Sequence, residues 1–183
     1  MLVTISGEPG SGKTTVARLL AKRLGVEHVY AGDLYRREAE RRGLTLAAFT
    51  ALCERDHSID RRLDAAMAER ARRGDVVLEG RLAGVIAVRE RLDAFKVWLT
   101  AREGVRAERV ARREGRDPGE VLEAIRARHR SDVRRYREIY GIDLEDRGPY
   151  DLVLATDEAA PEEVADRIVV AARAHFGRGR ADP

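Results

Sequence analysis

The residues best suited to chemistry form one glycine-rich segment, Gly7-Glu8-Pro9-Gly10-Ser11-Gly12-Lys13-Thr14-Thr15. Its spacing is that of a phosphate-binding loop (P-loop), in which glycines let consecutive backbone N–H groups turn inward around phosphate oxygens. Lys13 would place a positive charge on the β- and γ-phosphates, and the Thr14 hydroxyl can ligate Mg²⁺. The segment follows a strand pattern and opens a helix pattern, whose dipole also favours an anion. We therefore expect a site for a nucleoside triphosphate with Mg²⁺, rather than an ordinary glycine-rich turn.

Five strand-like runs, separated by helical patterns, must position this loop. They fall at 2–6, 26–30, 76–80, 95–99 and 151–155. Such alternation is typical of a parallel sheet wrapped by helices. The sequence therefore predicts an α/β fold of the P-loop NTPase type with a five-stranded parallel sheet. We expect a single domain over residues 1–177 and a frayed tail at 178–183, which has no large apolar residue.

Two helical insertions are longer than a simple crossover requires. The first, about 32–74, lies between the second and third strands and is expected to form a helical flap over one side of the site. The second, about 101–118, packs arginines three to four apart and opens an arginine-rich stretch that runs to position 140. We expect it to close over the triphosphate as a short lid. Its arginines could instead be solvent-facing partners of the neighbouring glutamates.

The third predicted strand ends in the string Glu79-Gly80-Arg81. At the carboxyl end of a central strand, Glu79 could orient Mg²⁺ through water, and Arg81 could reach a bound phosphate. The same string would also suit an exposed turn that carries an arginine.

A second turn signal, Gly32-Asp33, directly follows the second strand. It suits the start of a helix that would direct Arg36 toward the same edge of the sheet. On a solvated face, Arg36 would instead pair with Glu40 at i,i+4.

A charged stripe lies on the apolar side of the helical pattern 118–140. At 100° per residue, Arg128, Asp132 and Arg135 fall within about 60° of one another, among the apolar positions. A solvated stripe should lie opposite the apolar face, so these charges need a partner, either one another or a polar ligand. Asp132 could hold the arginines, whose forks suit phosphate or sugar oxygens. The alternative is an internal salt-bridge cluster without a ligand.

Composition favours a globular protein with a small polyanionic ligand. The chain has 183 residues, 44% hydrophobic and 37% charged, with a net charge of +3 and only three lysines. Arginine suits bidentate phosphate binding, but the interspersed acids and few aromatic residues argue against nucleic acid as the partner. No apolar run approaches membrane-spanning length, no charged-then-apolar leader precedes the first strand, and Cys53 can form no internal disulfide. We therefore expect a cytoplasmic protein without a membrane partner, whose only metal is Mg²⁺.

Strings that mark other nucleotide-binding classes are absent from the sequence. Guanine-nucleotide switches need Asn-Lys-x-Asp and Asp-x-x-Gly, and neither occurs. Motor ATPases need an aspartate-ended apolar strand, which is also missing. These absences leave a kinase as the favoured interpretation.

Together the motifs resemble nucleoside monophosphate kinases, and in particular cytidylate kinases of the short archaeal type. The resemblance spans nearly the whole chain and is carried by Gly7–Thr15, Ala31-Gly32-Asp33-x-x-Arg36, Glu79-Gly80-Arg81, Glu108-Arg109-x-x-Arg112-Arg113, Arg128-x-x-x-Asp132-x-x-Arg135 and Tyr150-Asp151-Leu152-Val153. It implies transfer of the γ-phosphoryl group of ATP to CMP or dCMP, by a monomer acting on small nucleotides. The rivals are a kinase for AMP, UMP or a shikimate-like acceptor, and a non-catalytic, nucleotide-dependent RNA-binding protein.

The resemblance also implies a role for each matched position. The ATP-binding residues are Gly7, Glu8, Pro9, Gly10, Ser11, Gly12, Lys13, Thr14, Thr15 and Asp157, with Mg²⁺ on Thr14 and, through water, on Glu79. The acceptor-binding residues are Asp33, Arg36, Gly80, Arg81, Arg128, Asp132 and Arg135. The catalytic residues are Lys13, Arg81, Arg109, Arg113 and Arg135. Leu82 stands where larger bacterial cytidylate kinases have an aspartate that helps read cytosine, so the base identity depends on weaker signals than the reaction type.

Overall fold

The computed structural model describes residues 1–178, and the side chains of residues 1–177. In chain order the elements are β1 (Leu2–Gly7), α1 (Lys13–Leu24), β2 (Glu27–Tyr30), α2 (Ala31–Arg41), α3 (Leu46–Cys53), α4 (His57–Arg72), β3 (Val76–Glu79), α5 (Ala83–Arg89), β4 (Phe95–Thr100), α6 (Glu103–Glu114), α7 (Pro118–Tyr140), β5 (Leu152–Ala155) and α8 (Pro161–Arg178). The predicted strands are confirmed, each to within one residue at either end. Of the tail expected to fray at 178–183, the backbone of Arg178 ends α8, and positions 179–183 lie outside the described residues.

The strands form one parallel sheet in the order β2-β3-β1-β4-β5. The central strands β1 and β3 are buried along their whole length, as their near-continuous apolar character requires. Because the chain leaves β1 for β2 and β3 on one side and later passes to β4 on the other, the carboxyl end of β1 is a topological switch point. Ligands of open α/β sheets bind at such points. The predicted parallel α/β fold is confirmed.

Successive side chains along the strands pack alternately into two apolar layers, one on each face of the sheet. Val3 and Ile5 face α1 and α8, while Leu2 and Leu78 face α4 and α5. This period of two follows from the pleat of a strand and fixes the register of the sheet. The sheet is thereby held rigid beneath the loops at its carboxyl edge.

The two predicted insertions are both helical. The flap between β2 and β3 consists of α2, α3 and α4, joined internally by the edge-on contact of Tyr35 with Phe49. The predicted lid is α6 and its turn, which pack on α7 through apolar residues to form a hairpin. Asp117 caps α7 by accepting from two backbone N–H groups. Within the part of the chain that the structure describes, no helix is long and apolar enough to cross a membrane.

Candidate active site

The predicted phosphate loop joins β1 to α1 at the carboxyl edge of the sheet. Its backbone closes on itself, since Ser11 N donates to Glu8 O at 3.2 Å. Lys13 Nζ donates to the same carbonyl at 2.6 Å, so the ammonium lies across the loop. Burial, opposed by Glu79 and reinforced by Arg81, lowers the pKa of Lys13 to about 7. An anion that binds beside such a buried amine favours its charged form and raises its pKa again.

Thr14, at the first turn of α1, is bonded to the end of β3. Its hydroxyl donates to Glu79 Oε1 at 2.6 Å, and His28 Nε2 lies 2.9 Å from Glu79 Oε2. Glu79 is fully buried, so these two partners account for both of its oxygens. The hydroxyl and carboxylate oxygens that the sequence predicted as Mg²⁺ ligands are thus brought together, and hard oxygen ligands fit that ion. His28 is an additional member that its lone position in a strand did not signal.

The lid helix is fixed to the phosphate loop by a buried arginine. Arg106 Nε donates to Ala101 O at 3.0 Å, and its Nη2 lies 3.5 Å from Glu8 Oε1. The backbones also touch here, because a Cβ on Gly10 would lie 2.5 Å from Arg106 O, with Gly10 at φ +83°. Sequence reasoning missed Arg106, since nothing in the spacing distinguishes it from the exposed lid arginines.

Arg109 and Asp157 meet beside the phosphate loop, where Arg109 Nη2 donates to the Asp157 backbone carbonyl at 3.4 Å. Arg109 Nη1 donates to Thr156 Oγ1 at 3.0 Å, and Thr156 Oγ1 lies 3.0 Å from Ser11 O. The Asp157 carboxylate accepts from the backbone N–H of Arg102 at 2.7 Å, which fixes the loop after β5 against the start of the lid. Arg113, by contrast, is exposed, and its ion pair is with Glu114.

Two members of the charged stripe of α7 are buried and paired with other charged residues. Asp132 and Arg135 are each 4% exposed. Asp132 accepts a hydrogen bond from Arg135 Nη2 at 3.0 Å and forms an ion pair with Arg81, whose Nε lies 3.2 Å away. It therefore contacts two arginines from different elements. Arg128 differs from the expectation for a buried face, since its side chain is 61% exposed and its Nε is 3.9 Å from Asp132.

Four buried guanidinium nitrogens of this cluster lack hydrogen-bond acceptors. Among the described residues, they are Nε and Nη2 of Arg81 and Nε and Nη1 of Arg135. Each Nε still lies close to a carboxylate oxygen, at 3.2 Å in Arg81 and 3.1 Å in Arg135. Burial, opposed by Asp132 and reinforced by Arg128, lowers the pKa of Arg81. Unpaired buried donors and crowded positive charge are both relieved by an anionic ligand with several oxygens.

The flap contributes the remaining predicted residues. Arg36 Nη2 pairs with Asp33 at 2.8 Å, so the predicted alternative of Glu40 as its partner is not adopted. Gly80, directly after β3, allows close packing against the start of the flap. A Cβ at Gly80 would lie 2.8 Å from the Cβ of Ala31, the first residue of α2. Leu82 is buried in the apolar layer beneath α4 and α5.

One further site residue comes from α4. Asp60 lies 3.1 Å from Arg135 Nε and is nearly fully buried. Its helical position, like that of Asp64, borders the apolar stripe that contains Met67. The reasoning applied to α7, that a charge beside an apolar face needs a partner, would have identified Asp60 as well.

The phosphate loop, the strand order and the buried arginines opposite it define the class as a P-loop kinase. The fold agrees with that of solved kinases, such as shikimate kinase from Acinetobacter baumannii in complex with shikimate, at a TM-score of 0.60 and 17% identity, covering 99% of this chain and 95% of that one. At this identity the likeness concerns the fold alone.

The sequence profile of the cytidylate kinase-like family matches residues 2–158, and the chain belongs to this family. It is 46% identical over 170 residues to the cytidylate kinase of Methanopyrus kandleri, covering 89% of this chain and 88% of that protein. It is 48% identical over 176 residues to the cytidylate kinase of Halobacterium salinarum, covering 96% and 91%. The resemblance inferred from the motifs is confirmed.

Proposed function

We propose that this chain transfers the γ-phosphoryl group of ATP to CMP or dCMP, giving ADP and CDP or dCDP. Its family makes it a nucleoside monophosphate kinase, a phosphotransferase. The observation that carries the proposal is the buried pair Arg81 and Arg135, which both contact Asp132 and have N–H groups without acceptors, with Arg81 within electrostatic range of Lys13. We propose that this pair binds the phosphate of the acceptor.

On the donor side, the backbone of residues 7–15 would cradle the phosphates and Lys13 would neutralise them. Support comes from the depressed pKa of Lys13, which a polyanion would reverse. Arg109 and Asp157 would flank the adenine side, where both lie next to Thr156. Arg113 would join them only when the lid closes, since it points to solvent in this structure.

Mg²⁺ would be held by Thr14 and, through water, by Glu79, and it would supply positive charge to the transferring phosphates. The fit is chemical, since the hydroxyl and carboxylate already lie within hydrogen-bonding distance of each other. Among the described residues no group of three His, Cys, Asp or Glu side chains could hold a metal. A magnesium ion bound mainly by substrate phosphates needs no such group.

On the acceptor side, Arg36 would approach the phosphate from the flap, at the turn marked by Asp33 and Gly80, and Arg128 would reach the sugar. Because both oxygens of Asp132 are engaged by arginines, its role is to hold these guanidinium groups in place. No side-chain nucleophile is needed when two polyanions are neutralised and aligned. Closure of the flap and of the lid would exclude water, a competing acceptor.

A panel of acceptors in an ADP-release assay tests the proposal. We expect ADP formation with CMP and dCMP, and little with UMP, AMP or shikimate. We further propose that the enzyme acts as a monomer in the cytoplasm. Size-exclusion chromatography with light scattering tests the oligomeric state. Faster turnover of AMP or shikimate than of CMP would overturn the assignment. RNA binding without acceptor-dependent ADP release would favour the non-catalytic alternative.

A further inference from the structure

His129 connects the acceptor-binding cluster to a loop that has no other role in the site. Its Nδ1 lies 3.3 Å from Arg81 Nη1, and its Nε2 lies 3.1 Å from Glu145 Oε1. His129 thus lies between the turn after β3 and the segment after α7.

The two contacts fix the protonation of the ring. A guanidinium only donates, so Nδ1 must accept from Arg81. The single ring proton is then on Nε2, which donates to the Glu145 carboxylate. Both hydrogen bonds are satisfied together only by the neutral Nε2–H tautomer.

Two of the three Arg81 nitrogens have a neighbour that limits how the guanidinium can turn. Asp132 forms an ion pair at 3.2 Å from Nε, and His129 accepts from Nη1. Nη2, like Nε, is buried without a hydrogen-bond partner. With the guanidinium plane fixed from two sides, its free N–H group is presented in one direction.

We infer that His129 is a positioning residue, which accepts from Arg81 and holds this guanidinium for the acceptor phosphate. The inference rests on the proposed function of Arg81. Without the imidazole, Arg81 Nη1 would lose its acceptor and the guanidinium would be free to turn away from the phosphate.

The charged groups around the ring come from four segments. Arg81 follows β3, Glu145 follows α7, and Glu103 of α6 lies within electrostatic range while paired to Arg126. On α7 itself, the flanking charges are Arg128, Arg130 and Asp132. His129 and Glu145 also line a groove of about 600 Å³ that is open to solvent.

The test compares His129→Ala and His129→Gln with the parent enzyme at pH 7.5. The alanine variant should raise KM for CMP by about three- to tenfold, with KM for ATP unchanged, because a hydrogen bond to a charged group is lost. Glutamine can accept from Arg81 and donate to Glu145, so this variant should keep the parent KM for CMP.

His175→Gln, on α8, is the matched control and should keep the parent KM for CMP. An alanine variant with the parent KM for CMP, or a glutamine variant with the raised KM of the alanine variant, would overturn the inference. Arg81→Ala distinguishes a failure of the inference about His129 from a failure of the proposed function. A normal KM for CMP in that variant would refute the proposed acceptor site itself.

Discussion

Asp60 of the flap and Arg135 of α7 form an ion pair, with Asp60 Oδ2 3.1 Å from Arg135 Nε and both side chains almost fully buried. Nη2 of the same guanidinium lies 3.0 Å from Asp132 Oδ1. Arg135 therefore joins the flap to the helix that follows α6. Since a planar fork is needed to contact both carboxylates and still present a free N–H group, lysine cannot replace it.

Replacing Arg135 by lysine should raise KM for CMP by about ten- to a hundredfold and leave KM for ATP nearly unchanged. Lysine keeps the charge, so the buried carboxylates are not left without a cation, as they would be in Arg135→Ala at a cost of about 3–5 kcal/mol. Steady-state kinetics with each substrate varied in turn measures the effect. Arg137→Lys on the exposed side of α7 is the control, and equal behaviour of the two variants would contradict the assignment.

The depressed pKa of Lys13 predicts proton uptake on ATP binding. In the free protein, burial lowers this pKa to about 7, so at pH 8 most of the amine is neutral. Bound phosphates favour the ammonium form and raise the pKa, so up to one proton per site should be taken up. Calorimetry of ATP binding at pH 8 in two buffers of different ionisation enthalpy measures this number.

Lys13→Met should abolish the uptake and lower kcat by about two to three orders of magnitude. Lys22→Met, on the exposed side of α1, serves as the matched control and should retain both. Proton release, or uptake that persists in the Lys13 variant, would show that the titrating group lies elsewhere.

Glu79→Gln should weaken the dependence on Mg²⁺ without disturbing the fold. The amide oxygen can still accept from Thr14, but the negative charge is lost. Outer-shell partners of metal ligands are typically worth ten- to a hundredfold in affinity, so the Mg²⁺ concentration for half-maximal activity should rise by about tenfold or more. A magnesium titration at fixed ATP measures it, with the exposed Glu27→Gln as control. An unaltered titration curve would remove Glu79 from the metal site.

Much of this architecture could be predicted because each signal was local. The glycine-rich motif at residues 7–15 determines its own backbone conformation. The strands Val76–Glu79 and Phe95–Thr100 are short, largely apolar runs bounded by polar residues. The placement of Asp132 and Arg135 followed from helical spacing alone. These features depend on neighbours within a few positions, which a sequence displays directly.

The remaining site residues depend on contacts between distant segments. Arg106 reaches Glu8 across 98 positions, and His28 reaches Glu79 across 51. Neither residue differs in local context from others of its type. Arg128 shows the converse, since its spacing placed it on the apolar face but its long side chain extends to solvent.

Replacement of the buried Asp64 should stabilise the protein by an amount that depends on pH. Burial raises its pKa to about 6, even though Tyr140 donates to it at 2.6 Å. Below about pH 3 the carboxyl is protonated in both states, and between about pH 4 and 6 the unfolded chain ionises first, so the folded state loses stability as pH rises. Asp64→Asn should therefore raise the free energy of unfolding by about 3 kcal/mol at pH 8 and have little effect at pH 4.

Thermal unfolding of Asp64→Asn from pH 4 to pH 8 measures this trend. The exposed Asp93→Asn is the matched control and should show no comparable pH dependence. A variant that is less stable than the parent at pH 8 would mean that the Asp64 carboxylate is stabilising in its charged form.

The most direct test of the central claim follows the phosphorus atoms. With enzyme, ATP, Mg²⁺ and CMP together, ³¹P NMR should show the γ-phosphorus of ATP appearing as the β-phosphorus of CDP, in a one-to-one ratio with ADP. Formation of ADP with inorganic phosphate and no CDP would contradict the account, because Arg81 and Arg135 would then not be holding an acceptor.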